Sequence, residues 1–310
     1  MTEPAPNGST ASWTGTIYNL NRGSVEHEVE RLAYNHFNIW TPLTGDLLPA
    51  HILSSLQSQD RPRIADIATG CGVWLTALAD DVPPRSELIG FDLDRLKLPP
   101  RPPTPPIPPP PMSPPLRPEQ PTLDFREQDV LKPFPAELRG TFDLVHVRLL
   151  ALGLKAGDWD GVLGRLHDLL KPGGWLLWED TGDLYMRAFP PSRAYDEFWW
   201  ASMKHDAKAG RDNLMPAALL KRLRKLGFQN CEQRVWSTWA ANDSIQEKVS
   251  TAMLQLLKPG LTAVVEDGGE ETVRTMEDVG RIERELVRDA EQNGVHLGLH
   301  YFWNWGQRSS

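Results

Sequence analysis

Cysteine is almost missing from this chain. The 310 residues hold two, Cys71 and Cys231, neither in a CxxC or Cys/His spacing. This argues against a disulfide framework and against a thiolate metal site. It fits a reducing compartment, so the expectation is a cytoplasmic protein without a metal centre. Positive charge is also scarce: 33 Lys and Arg stand against 41 Asp and Glu, a formal net charge of -8. Without a basic cluster the chain lacks the footprint that a nucleic-acid backbone or an anionic membrane surface selects. Long apolar runs are absent too, none approaching the ~18 residues of a membrane span. The opening MTEPAPNGSTASWTG has neither the charged start nor the apolar stretch of a signal peptide.

What is present is punctuated by proline. Fourteen of the 28 prolines fall in residues 99–121. Consecutive prolines cannot donate ladder hydrogen bonds and favour polyproline II, so this segment is expected to be a disordered, solvated insertion. It also has the composition of a ligand for a proline-recognising partner. Residues 1–15 are small and polar and are expected to be a disordered tail. Residues 16–60 carry two helical patterns, 26–40 and 47–56, that form an N-terminal cap. From residue 61 to 310 strands and helices alternate. RIADIA (63–68), SELIGFDLD (86–94), TLDFREQDV (122–130), TFDLVHVRLL (141–150) and WLLWED (175–180) read as strands, with DWDGVLGRLHDLLK (157–171) as a crossover helix and the Pro172-Gly173-Gly174 turn after it. The pattern predicts an α/β fold with a seven-stranded, mostly parallel sheet and helices on both faces. Beyond 190 the spacing predicts helices over 197–209, 216–225 and 271–293 and strands over 227–236 and 294–305.

The chemistry concentrates where the first strand ends. Asp66 leads into a turn holding Thr69, Gly70, Cys71 and Gly72, and glycine there lets backbone pass close to a ligand. The dinucleotide pattern GxGxxG fails, because Leu75 occupies the third glycine position. A second acid, Asp92, closes the next strand, with Asp94 read as solvated or capping, and Asp129 and Val130 follow the third strand.

These residues together resemble class I S-adenosylmethionine-dependent methyltransferases, with Ala68 standing where a glycine is common. Phe142, Asp143, His146 and Arg148, the KPGGW run Lys171–Trp175, and Arg31, Leu32 and His36 resemble the fungal LaeA-like group within that family. Gly210–Asp212, before a helix, matches that group as well. The resemblance covers roughly residues 16–240. It implies a Rossmann-like fold, S-adenosylmethionine as cofactor, and cofactor contacts from Asp66, Thr69, Gly70, Gly72, Asp92, Asp129, Val130 and Arg148. It implies O- or N-methylation of a small molecule in secondary-metabolite biosynthesis. Two other outcomes are open to the same fold: a regulator acting through partners, and an enzyme catalysing a non-methylating cyclisation.

A sulfonium methyl needs alignment more than activation, although a phenol or alcohol also needs a base. The candidate catalytic residues are His36 on the cap, His205 on the helix after the fifth strand, and Glu179 at that strand's end. His146, inside a strand, reads as a hydrogen-bonded core histidine. Six of the twelve tryptophans (Trp199, Trp200, Trp236, Trp239, Trp303 and Trp305) lie in the C-terminal third. They read chiefly as core, with a pocket for an aromatic or apolar acceptor as the alternative.

Overall fold

The computed structural model describes residues 24–99 and 120–310. The expected tail, the start of the cap and nearly all of the proline-rich insertion lie outside the described residues.

Helix α1 (Val25–Asn35) begins at Ser24, whose side chain accepts from the His27 amide. The chain continues without a break through a π turn, His36–Trp40, into the short α2 (Thr41–Thr44), which Gly45 ends in the left-handed region. The wider π turn buries His36, Ile39 and Trp40 and leaves Phe37 60% exposed. Helix α3 (Ala50–Gln57) plants Ile52 and Leu56 in the core.

The alternating region then follows. Strand β1 (Arg63–Ile67), helix α4 (Val73–Leu78), β2 (Glu87–Asp92), β3 (Thr122–Glu127), β4 (Phe142–Arg148), α5 (Trp159–Leu169) and β5 (Leu170–Asp180) build the parallel half. Next come β6 (Met186–Phe189), α6 (Arg193–Lys208), α7 (Leu219–Lys225), β7 (Gln229–Ser237), α8 (Asp243–Glu266), α9 (Met276–Asn293) and β8 (His296–Gln307). The order across the sheet is β3-β2-β1-β4-β5-β8, and β8 pairs antiparallel with β5, β7 and β6. The described residues hold eight strands, not the expected seven. The start of β8, 296–299, runs past β7 and recruits the four-residue β6. The Pro172-Gly173-Gly174 turn is likewise absorbed into β5 as an irregularity opposite Phe142 and Leu144, with Gly173 at positive φ.

Period-two alternation divides the strand residues between two layers. Ile64, Leu88, Leu144, Leu177 and Trp303 pack with α3, α4, α6, α8 and α9. Ala65, Ile67, Phe91, Val145, Val147, Leu176 and Trp178 pack with α5 and α7. Helix α8 is the large element the sequence reading missed. Pro259 interrupts its pattern, yet Ile245, Val249, Met253, Leu257, Leu261 and Val264 keep helical spacing and are buried. Among the described residues, no helix is long and apolar enough to cross a membrane.

Candidate active site

A cavity of about 470 Å³ opens at the carboxyl ends of β1 to β4, where ligands bind in open α/β sheets. Asp66, Thr69, Gly70, Asp92, Asp129, Val130 and Arg148 all line it. Gly72 does not: it starts α4, and the Phe125 ring occupies the space its Cβ would need. The roof is α1, which contributes Glu28, Arg31, Leu32 and Asn35, followed by Trp40.

The turn after β1 is held from two sides. Asp92 accepts the Gly70 amide on Oδ2 and the Asp94 amide on Oδ1, each at 2.8 Å. Burial raises its pKa, against the pull of those amides and of Lys97. Ala68, standing in for a glycine, takes φ 58°, a left-handed conformation that costs an L-residue about 1–2 kcal/mol. Leu149, just past β4 and also lining the cavity, has φ 55°. Such conformations persist where surrounding structure enforces them, often at functional sites. Asp94 turns inward as well. It caps the following turn through the Leu96 amide, but its other oxygen is buried against the cavity without a hydrogen-bond partner. Asp129 Oδ1 accepts the Leu131 amide at 2.9 Å, presenting Val130 and Leu131 as an apolar wall.

Beneath the cavity, register assembles a polar row that sequence alone did not reveal. Asp66 and His146 are direct partners across β1 and β4. Glu179 lies two residues beyond Leu177, the β5 partner of His146. His146 Nδ1 donates to Asp66 Oδ1 at 2.7 Å, and Thr69 Oγ1 donates to Asp66 Oδ2 at 2.5 Å. On the other side, His146 Nε2 and Glu179 Oε1 are 3.2 Å apart, close enough for ion pairing but off the line of a hydrogen bond. Tyr301 completes the row by donating to Glu179 Oε2 at 2.7 Å. Burial opposes charge on His146, but Asp66 and then Glu179 outweigh it and raise its pKa. The Trp74 indole stacks on the imidazole with centroids 3.5 Å apart, an arrangement that favours a cationic ring.

The three candidate catalytic residues part company. Glu179 is buried behind His146 and is not among the lining residues. His36 is 1% exposed and its Nδ1 accepts from the Arg148 guanidinium at 3.0 Å. Guanidinium can only donate, so the imidazole proton sits on Nε2. Burial, helped by Arg148, pushes the His36 pKa down to about 4, so the ring is neutral. His205 is not brought to this cavity. It bonds Asp267 at 2.7 Å and lines a separate, smaller pocket between α6 and α8. Of the six C-terminal tryptophans, Trp303 and Trp305 are core, Trp199, Trp236 and Trp239 are half-buried, and Trp200 is 55% exposed.

A sheet of this order, with an acid-lined cavity at its parallel ends, defines a nucleoside-cofactor-binding α/β domain. Comparison with known proteins then identifies the family. A family model described as a methyltransferase domain matches residues 43–233, and the chain belongs to that family. Methyltransferase grgD of Penicillium sp is 28% identical over 290 residues, covering 93% of each chain. N-methyltransferase verN of Clonostachys rogersoniana is 34% identical over 170 residues, 55% of this chain and 52% of that one. N-methyltransferase gliN of Aspergillus fumigatus is 25% identical over 257 residues, 79% and 83% of the two chains. Among solved structures, phosphoethanolamine N-methyltransferase 2 of Haemonchus contortus, in complex with S-adenosyl-L-methionine, superposes with a TM-score of 0.48 at 13% identity, covering 94% of this chain and 61% of that one. The protein is an S-adenosylmethionine-dependent methyltransferase.

The cavity fits that donor chemically. Its acidic lining, Asp66, Asp92, Asp94 and Asp129, with Asp94 Oδ2 3.9 Å from the Lys97 ammonium, matches a ligand rich in hydroxyl and amino hydrogens. Arg148 lines it as a cation suited to the donor's single carboxylate, while Arg31 is paired with the Glu28 carboxylate at 2.7 and 2.8 Å.

Proposed function

We propose that this enzyme methylates a small, apolar acceptor in secondary metabolism, at a nitrogen or oxygen, with nitrogen favoured. The observation that carries the choice is that, among the described residues, the two candidate bases at the β4 end of the cavity are both engaged. His36 Nδ1 is taken by Arg148, and Glu179 is enclosed by His146 and Tyr301. A neutral amine needs no base to attack; an alcohol does. The names of verN and gliN, both N-methyltransferases, support the same reading.

Bound in this cavity, S-adenosylmethionine supplies an electrophilic methyl group on sulfur. Asp92 and Asp94 hold the ribose hydroxyls. Asp129 takes the adenine amino group while Val130 and Leu131 lie against the ring. Arg148 faces the donor carboxylate, and neutral His36 positions that guanidinium without adding a second charge. Asp66, Thr69 and His146 keep the turn after β1 rigid. Trp40, Leu149, Leu150 and Leu154 exclude water where the acceptor enters. Alignment of this kind supplies about 7–11 kcal/mol in well-oriented reactions. A cytoplasmic location is consistent with two unpaired thiols. A proline-recognising partner rests on the composition of residues 99–121 alone.

Calorimetry with S-adenosylhomocysteine, followed by labelled-methyl transfer into a mixture of apolar amines and phenols, tests the reading. Binding plus label in the amine fraction is expected. Cofactor-dependent products of unchanged mass point to the cyclisation alternative instead. Absence of binding overturns the assignment.

A further inference from the structure

Strand β3 closes one end of the sheet and, among the described residues, pairs with β2 alone. In a parallel ladder alternate residues turn both backbone groups to the same side. The Thr122 and Gln128 amides donate to the Ser86 and Asp92 carbonyls at the two ends of β2, so the even-numbered residues face β2. Leu123, Phe125 and Glu127 therefore turn their N–H and C=O groups outward, and among the described residues nothing bonds to them there. Pro121, the next residue in that row, has no N–H and ends it. An open row of this kind is a template for another strand.

The side chains decide which strand. Leu123 and Phe125 lie on the α4 side, where the Phe125 ring covers Gly72 and Gly90. Arg126 and Asp124 project from the opposite face, bonded to each other at 2.7 Å with side chains 40% and 39% exposed. Beside them on β2, Glu87 is already taken by Arg63 at 2.9 Å. Charge of one sign along an edge keeps strands apart. Here opposite signs stand two residues apart, and an antiparallel copy of the same strand matches them. With the twofold axis at Phe125, that residue faces its copy and Leu123 faces Glu127, so the outward backbone groups of both strands meet. Asp124 then stands opposite the second copy's Arg126, and Arg126 opposite the second copy's Asp124, in the closer kind of antiparallel pair. Moving the axis one residue either way sets Asp124 against Asp124 or Arg126 against Arg126, and like charges directly opposite are destabilising. Residues 100–119 are the other occupant at hand, but twelve of the twenty are prolines, which have no amide to give to a ladder.

We propose that β3 is a homodimer interface, in which two copies pair antiparallel about Phe125 and join their sheets into one. The crossed Asp124 and Arg126 pairs fix the register, and Phe125 stands beside its copy on the apolar face. The donor cavity takes its lining from Gln128 onward, beyond the paired residues, so each copy keeps its own cavity open. Six residues a side make a small interface, and the association is expected in the micromolar range.

Sedimentation velocity on the full chain, across micromolar concentrations, tests this. The parent is expected to shift from monomer toward dimer as concentration rises. Asp124→Arg and Arg126→Asp each set like charges opposite one another, and each is expected to weaken self-association by about tenfold or more. Mixed together, the two single variants regain complementary pairs and are expected to form a heterodimer. S-adenosylhomocysteine affinity is expected to stay within about twofold of the parent in every variant, because neither residue lines the cavity. If a single variant fails to fold, the double variant Asp124→Arg with Arg126→Asp decides, since it restores the pairs between identical chains: a dimer supports the proposal and a monomer overturns it. A parent that stays monomeric overturns it too, and a dimer that then forms on deleting residues 100–119 assigns the edge to that segment instead. A parent dimer that survives both single reversals, or a mixture that stays monomeric, overturns it by placing the contact elsewhere.

Discussion

The two halves of the sheet bury similar apolar layers but end differently. The parallel strands β1, β2 and β4 close on Asp66, Asp92 and Arg148, all lining the cavity. The long antiparallel β8 instead buries Tyr301, Trp303 and Trp305. Each half also holds a buried histidine beside two acids. His146 lies between Asp66 and Glu179, whose side chains are 3% exposed. His205 lies near Asp206 and bonded to Asp267, but the Asp267 side chain is 68% exposed. The residue types match while the environments do not. In the parallel half both carboxylates depend on the imidazole; in the other, water already solvates the acid that bonds to it.

Replacing His146 with phenylalanine is the strongest way to break this comparison. It keeps the stack on Trp74 but leaves two buried carboxylates without their cation. Orphaning buried charge costs about 3–5 kcal/mol, so the urea midpoint of His146→Phe should fall steeply. A loss below about 1 kcal/mol would mean that Asp66 and Glu179 are satisfied without it, and that the two histidines are equivalent after all.

Asp92→Ala tests the polar ending of the parallel half as a binding surface. It removes charge-assisted hydrogen bonds to the ligand and releases the Gly70 amide. The expected loss of S-adenosylhomocysteine affinity is about 100-fold by calorimetry. Affinity retained within threefold would remove Asp92 from the donor site.

Much of the donor half was legible in the sequence because acids that end apolar runs mark strand ends. Asp66 could be placed from the strand and glycine turn around it, and Asp92 and Asp129 from strand ends read together with the family resemblance. The polar row was not legible, since it depends on register across β1, β4, β5 and β8, and Tyr301 lies 122 residues from Glu179. His146 was read as a core histidine, and it is one, but it also lines the cavity. Asp94 was read as solvated or capping, and it does cap, through the Leu96 amide, but its turn also brings it to the cavity. In the closing half, Pro259 hid α8, and with it the separate pocket that takes His205 away from the donor.

The pH dependence of stability sharpens the contrast within β5 itself. Asp180, one residue past Glu179, is on the opposite face. Burial raises its pKa from 3.8 to about 7, although the Trp178 indole and the Ala151, Thr181 and Leu150 amides all donate to it. Between those values the native chain holds a proton that the unfolded chain has released. Stability therefore falls as pH rises, by about 1.4 kcal/mol per unit for one such group. Asp180→Asn should flatten the curve of urea midpoint against pH between about 4 and 7, and parallel curves would contradict the assignment. His146 contributes in another window. With its pKa raised above 6.5, its stabilisation is complete below that value and is lost as pH climbs through the folded pKa.

The smallest effect is expected at Asp267, the counterpart test in the closing half. Asp267→Asn removes a carboxylate 2.7 Å from His205. An ion pair with one partner this exposed contributes about 0–1 kcal/mol. Asp267 is also the C-cap of α8, where a negative charge opposes the helix dipole by a few tenths of a kcal/mol. The two terms offset, so the urea midpoint should move by less than about 0.5 kcal/mol in either direction, and S-adenosylhomocysteine binding should not change. A loss approaching that of His146→Phe would show that exposure of one partner does not separate the two histidines. It would also make the α6–α8 pocket a buried charge centre in its own right.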